Sequence, residues 1–114
     1  MIPKFRAWFG SEMYDEPVVY DGEFYLDWRD FEDGITYDGA VLMQSTEQVD
    51  KNGKEIWEGD VVRMHSGELL PVRLHHGMFE PVCYYVSSVF EKVGNIFENP
   101  ELTEHPDFRE ATND

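Results

Sequence analysis

The run Asp50-Lys51-Asn52-Gly53-Lys54-Glu55-Ile56-Trp57-Glu58-Gly59-Asp60-Val61-Val62 constrains this chain more than any other segment. Asn52 and Gly53 tolerate positive φ and read as a two-residue type I′ hairpin turn. Gly59 and Asp60 set a second turn a few residues later. The β-branched pair Val61-Val62 then opens a strand. Two turns this close leave no room for a helix, so the segment specifies tight antiparallel β structure.

The rest of the chain repeats that pattern. Ile2 to Phe9 alternates as a first strand, with a turn at Gly10-Ser11. Val18 to Tyr20 and a turn at Asp21-Gly22 follow. Glu23 to Phe31 is ambiguous. Phe24, Trp28 and Phe31 have helical spacing with Asp21 as a possible cap, yet Phe24-Tyr25-Leu26 also suits a strand, which the neighbouring strands favour. Ala40 to Ser45 reads as a buried strand, Leu69 to His75 as another, and Val82 to Phe90 as a long aromatic one. Asn99-Pro100 has the composition of a helix start, with asparagine as cap and proline in the first turn. The fold class is therefore mostly β: a small antiparallel barrel-like or sandwich domain with a short C-terminal helical turn. One domain is expected over residues 1–108, with 109–114 a frayed tail.

Charge bounds the partners. Nine Lys and Arg against 24 Asp and Glu give −15. Hydrophobic residues still make up 41% of the chain and aromatics 15%, too much apolar material for a disordered acidic tail. Direct nucleic-acid binding is not expected, because phosphate neutralisation needs a basic surface. The acids are densest from Glu12 to Asp38. Glu12, Asp15, Glu16, Asp21, Glu23, Asp27, Asp30, Glu32, Asp33 and Asp38 are interleaved there with Tyr14, Tyr20, Tyr25, Trp28, Phe31 and Tyr37, and Arg29 is the only base. Half of those aromatics are read as core. The rest would form a protein-binding surface for a basic partner.

No constellation for catalysis is visible. A calcium loop centred on Gly34 would need Arg29 and Phe31 as ligands, and neither suits a hard cation. His75 and His76 on a strand would point to opposite faces and could not share a metal ion. Cys83, the single cysteine, lies in an apolar run and reads as a small buried hydrophobe. No cofactor is expected. Neither a leader-like apolar segment nor a membrane span is visible, so a cytoplasmic protein is expected.

Three blocks carry a resemblance. Ile2-Pro3-Lys4-Phe5-Arg6-Ala7-Trp8 opens the chain, Leu42-Met43-Gln44-Ser45-Thr46 leads into the Asp50–Val62 run, and Val93-Gly94-Asn95-Ile96-Phe97-Glu98-Asn99-Pro100-Glu101-Leu102 closes it. Their order and spacing resemble the YopX family of bacteriophage and prophage proteins. The departure is Glu47-Gln48, where the family carries Gly-Leu. The resemblance implies a phage- or prophage-encoded, cytoplasmic, mostly β protein and transfers no catalytic residue. The motif residues Asn52, Gly53, Gly59, Asp60, Gly94 and Asn95 are expected to serve turns, with glycine relieving strain. A non-enzymatic accessory protein acting through binding is expected, with an acidic inhibitor of a host nucleic-acid-binding protein as its sharpest form. A self-assembling homo-oligomer is the alternative.

Overall fold

The computed structural model describes residues 3–110. The protein is mostly β and every pair of named strands is antiparallel, as its turn-rich sequence requires. The chain divides into two compact units, Met1–Gln44 and Ser45–Asp114.

In the first unit, β1 (Phe5–Phe9) pairs with β2 (Glu12–Tyr14) around Gly10, whose φ of +66° suits the tight turn. A second hairpin joins β3 (Val18–Tyr20) to β4 (Glu23–Tyr25). Its loop is Asp21-Gly22, with φ of +54° and +81°, the pattern of a type I′ turn. The ambiguous 23–31 stretch resolves into both readings. Its start is β4, and Trp28–Asp33 form a short helix, α1. Asp27, not Asp21, caps α1 by accepting the Asp30 N–H at 2.9 Å, and Gly34 ends it in the left-handed region. Ala7, Leu26 and Met43 are buried in this unit.

The boundary between the units falls inside β5 (Val41–Val49), which pairs with β1 before it and with β6 (Glu55–Trp57) after it. The strand read as buried is mixed: Met43, Ser45 and Thr46 are buried, whereas Val41, Glu47 and Val49 are exposed. β5 also bulges between Ser45 and Val49, where Glu47 holds φ +65°. The Ser45 hydroxyl accepts the Glu47 N–H and the Thr46 hydroxyl accepts the Gln48 N–H, so side chains satisfy the groups the bulge removes from the ladder.

The second unit is built on β7 (Asp60–Met64), flanked by β8 (Leu69–Pro71) and β11 (Phe90–Asn95). A further hairpin pairs β9 (Arg73–His75) with β10 (Met78–Glu80). Ile56, Val62, Met64, Val72, Val82 and Phe90 form its core, each contributing about 1.5–3 kcal/mol by burial. The run from Leu69 to His75 is two strands broken at Val72. Of the run read as one strand from Val82 to Phe90, only Phe90 is in a strand, as the first residue of β11. Pro81, after a cis peptide bond, cannot donate to a ladder, and 3₁₀ turns occupy Val82–Tyr84 and Ser87–Val89. The C-terminal helical turn is a 3₁₀ turn over Pro100–Glu104. Of the segment read as a tail, Arg109 donates its N–H to Leu69 and Glu110 pairs with Arg73 at 2.9 Å. Residues 111–114 lie outside the described residues, as do Met1 and Ile2.

Candidate functional site

The acidic segment of the first unit forms an aromatic surface centred on Phe31. Helix α1 projects Phe31 so that the rings of Tyr20, Tyr25 and Trp28 lie 5.7, 5.2 and 5.1 Å from its own. The β3–β4 hairpin supplies Tyr20 and Tyr25, and α1 supplies the other two. None of Tyr14, Tyr20, Tyr25, Trp28, Phe31 and Tyr37 is fully buried, which corrects the reading of half of them as core. Tyr14, Tyr25 and Phe31 are half-buried, whereas Tyr20, Trp28 and Tyr37 are exposed. Nothing in the spacing of a short strand or helix tells a core ring from a surface ring when the whole segment lies over a small unit.

Carboxylates lie within reach of three of these rings. The Trp28 indole N–H donates to Glu32 at 2.9 Å, one helical turn on. The Tyr14 hydroxyl donates to Glu12, and that of Tyr37 to Asp30. Partial burial and the Glu12 charge push the Tyr14 hydroxyl above the ordinary tyrosine range. The Asp30 charge, with partial burial, does the same to Tyr37. Tyr14, Asp15, Glu16, Leu26, Asp27 and Trp28 line an open cleft of about 500 Å³. Of the ten carboxylates, Asp15, Glu16 and Asp27 therefore meet at one cleft, while Glu12, Asp30 and Glu32 each orient a ring. Asp21 and Glu23 sit at the β3–β4 hairpin end, and Asp33 and Asp38 are exposed beyond the cleft.

The motif residues of the second unit make a polar framework. Asp60 is fully buried and accepts the Trp57 N–H at 2.7 Å, with the Lys92 ammonium 3.3 Å away. Asn95 is buried too. Its Oδ1 accepts the N–H groups of Phe97 and Glu98, and its Nδ2 donates to Glu98. Asp50 was not singled out by its sequence context, although an aspartate opening a Lys-Asn-Gly turn is a known side-chain cap of its own loop. Its Oδ1 accepts the N–H groups of Asn52 and Lys54, and its Oδ2 that of Lys92. The Asn52-Gly53 turn is not type I′. Only Gly53 has positive φ (+81°), and Gly53 N–H donates to Asp50, as in a type I turn followed by a glycine bulge. Gly94 does not relieve a positive φ either. A Cβ there would collide with the Asn99 side chain and lie 2.9 Å from Leu102. Asn99 in turn does not cap the 3₁₀ turn with its side chain; its Oδ1 accepts the Asn95 N–H.

His75 and His76 do not diverge as strand neighbours would. His76 adopts φ +54° in a type I′ turn with Gly77, and the two rings stack 4.0 Å apart. Among the described residues, no group of three or more His, Cys, Asp or Glu could hold a metal ion. Cys83 is half-buried in a 3₁₀ turn, and burial, helped by the Glu80 charge, pushes its thiol above the usual range. Lys51, Arg63, Arg73 and Lys92 each face a carboxylate. No helix among the described residues is long and apolar enough to cross a membrane.

A family model described as YopX protein matches residues 15–104. Protein EF1440 from Enterococcus faecalis is similar in structure, with 26% identity, a TM-score of 0.64, and coverage of 90% of this chain and 98% of its own. Protein yopX from Bacillus subtilis is similar in fold, with 19% identity, a TM-score of 0.55, and coverage of 87% of this chain and 96% of its own. No curated protein matches the chain.

Proposed function

The chain belongs to the YopX family, and we propose that this member is a binding protein rather than an enzyme, acting through the acidic aromatic surface of its first unit. The partner is a basic protein, and the phage setting implied by the family resemblance makes a host nucleic-acid-binding protein the expected one. A single observation carries the reading: carboxylates and rings are arranged together, with the exposed Trp28 and Tyr37 beside Glu32 and Asp30 and the half-buried Tyr14 beside Glu12. Exposed aromatics supply contact area at low entropy cost, and surrounding charge steers a basic partner. A net charge of −15 opposes the approach of a second copy of the chain, which makes self-assembly the weaker reading.

The test begins with capture of partners from host lysate at low and high salt. The retained protein is then purified and titrated against a variant carrying Asp15→Asn, Glu16→Gln, Asp27→Asn and Glu32→Gln. Weaker binding with a shallower salt dependence supports the surface as the interface. Unchanged affinity would sink this reading.

A further inference from the structure

The geometry points to Trp28 as the seat for an arginine side chain of the basic partner, stacked on the indole with its guanidinium turned to the carboxylates of the adjoining cleft. This assignment rests on the binding reading above and deepens it. An exposed tryptophan ordinarily keeps its N–H in water. Here the N–H is already satisfied by Glu32, yet 61% of the residue stays exposed. What faces solvent is therefore apolar ring surface, which gains free energy when covered.

The ring also has neighbours that restrict it. Glu32 fixes the indole edge, Phe31 lies 5.1 Å from it, and Phe31 is in turn braced by Tyr20 and Tyr25. A ring that needs no reordering loses little entropy on binding. Beside it the cleft presents Asp15, Glu16 and Asp27, and the Tyr14 hydroxyl is engaged by Glu12. A neutral apolar group would cover the ring but would carry nothing to answer these charges. A cation answers both, because the indole face attracts positive charge more strongly than the other rings do.

Arginine suits the site better than lysine. Its planar guanidinium stacks on a flat ring and is weakly hydrated, and its donor fork matches a carboxylate with two bonds. Lysine offers a compact, strongly hydrated ammonium that gains less from the ring.

The experiment uses the full chain and two labelled peptides of equal length and charge, one alternating arginine with glycine and the other lysine with glycine, titrated by fluorescence anisotropy at low salt. The arginine peptide should bind the unaltered protein more tightly. Trp28→Leu should weaken it by about two- to five-fold, the usual worth of an exposed cation–π contact, and should narrow the arginine–lysine difference. Trp28→Phe keeps a ring and should retain part of the preference, which separates lost stacking from lost folding. Equal affinity of the two peptides for the unaltered protein, or an arginine preference untouched by Trp28→Leu, would overturn the assignment. If Trp28→Leu has no effect while the carboxylate variant still loses its partner, only the arginine seat fails. If the carboxylate variant binds normally, the binding reading fails with it.

Discussion

Oδ2 of Asp50 accepts the backbone N–H of Lys92 at 2.8 Å across 42 residues of chain, while Oδ1 of the same carboxylate closes the Asn52-Gly53 turn. One buried side chain thus ties the β5–β6 loop to β11. Burial by itself would raise this carboxyl. Three backbone N–H donors and the Lys54 charge outweigh it and hold Asp50 below the ordinary aspartate value.

A depressed folded-state value stabilises the protein above the unfolded value of 3.8, and that stability is lost as pH falls through the folded one. Asp50→Asn should cost about 3 kcal/mol at neutral pH, since an amide cannot satisfy three donors. The gap between the two proteins should shrink below about pH 4. Urea unfolding followed by tryptophan fluorescence at descending pH checks this; a gap independent of pH would show that the carboxylate charge is not what matters.

Gly94 is required by proximity rather than by backbone angle. Gly94→Ala should lose about 2 kcal/mol, because the new methyl meets Asn99 and Leu102 in a packed corner. Asn99→Ala should also destabilise by removing the acceptor of the Asn95 N–H. In the double variant the losses should fall short of additive by at least about 0.5 kcal/mol, since truncating Asn99 opens the space the methyl needs. Chemical denaturation of the four proteins measures the coupling.

Glu47, a residue with a full side chain, holds φ +65° in the bulge of β5. A left-handed backbone costs a non-glycine residue about 1–2 kcal/mol, and glycine returns about 0.5–1 kcal/mol of that as unfolded-state entropy. Glu47→Gly should therefore stabilise the protein by about 0.5 kcal/mol. Glu47→Gln serves as the control for charge and should leave stability near that of the parent. A loss of stability in Glu47→Gly would mean that the side chain contributes more than the strain removes.

Cys83 should react slowly with thiol reagents. Its raised value lowers the thiolate fraction at pH 8, and the thiolate is the attacking form. The rate should rise as the pH is taken above the ordinary thiol range, and at fixed pH it should increase when Glu80 is replaced by Gln. Reaction as fast as that of a free cysteine would contradict the burial described for this turn.

The hairpins show which parts of the fold could be read in advance. Gly10-Ser11 and Asp21-Gly22 turn where their composition says they should, because a turn is decided by four neighbouring residues. Asn52-Gly53 was legible as a turn but not as a type. Its Asp50 carboxylate draws in the N–H groups of Asn52 and Lys54, which selects a longer loop than the dipeptide alone favours. His76-Gly77 takes the type I′ geometry expected of Asn52-Gly53, and histidine carries no strong signal for it. The acidic surface was legible as composition; that Trp28 would be exposed with its N–H already satisfied was not.

The sequence by itself determined that the chain is β-rich, antiparallel, strongly acidic and a relative of the YopX proteins, because strand alternation, turn chemistry, charge and motif spacing are all carried by residues close together in the chain. Tertiary structure decided the rest. It ended the run Val82–Phe90 as a strand, turned Gly94 from a turn residue into a clearance for Asn99, buried Asp60 beside Lys92, and split the aromatics around Phe31 into half-buried braces and exposed rings. Each of these depends on which distant atoms come within a few ångströms, and local propensity does not contain that information.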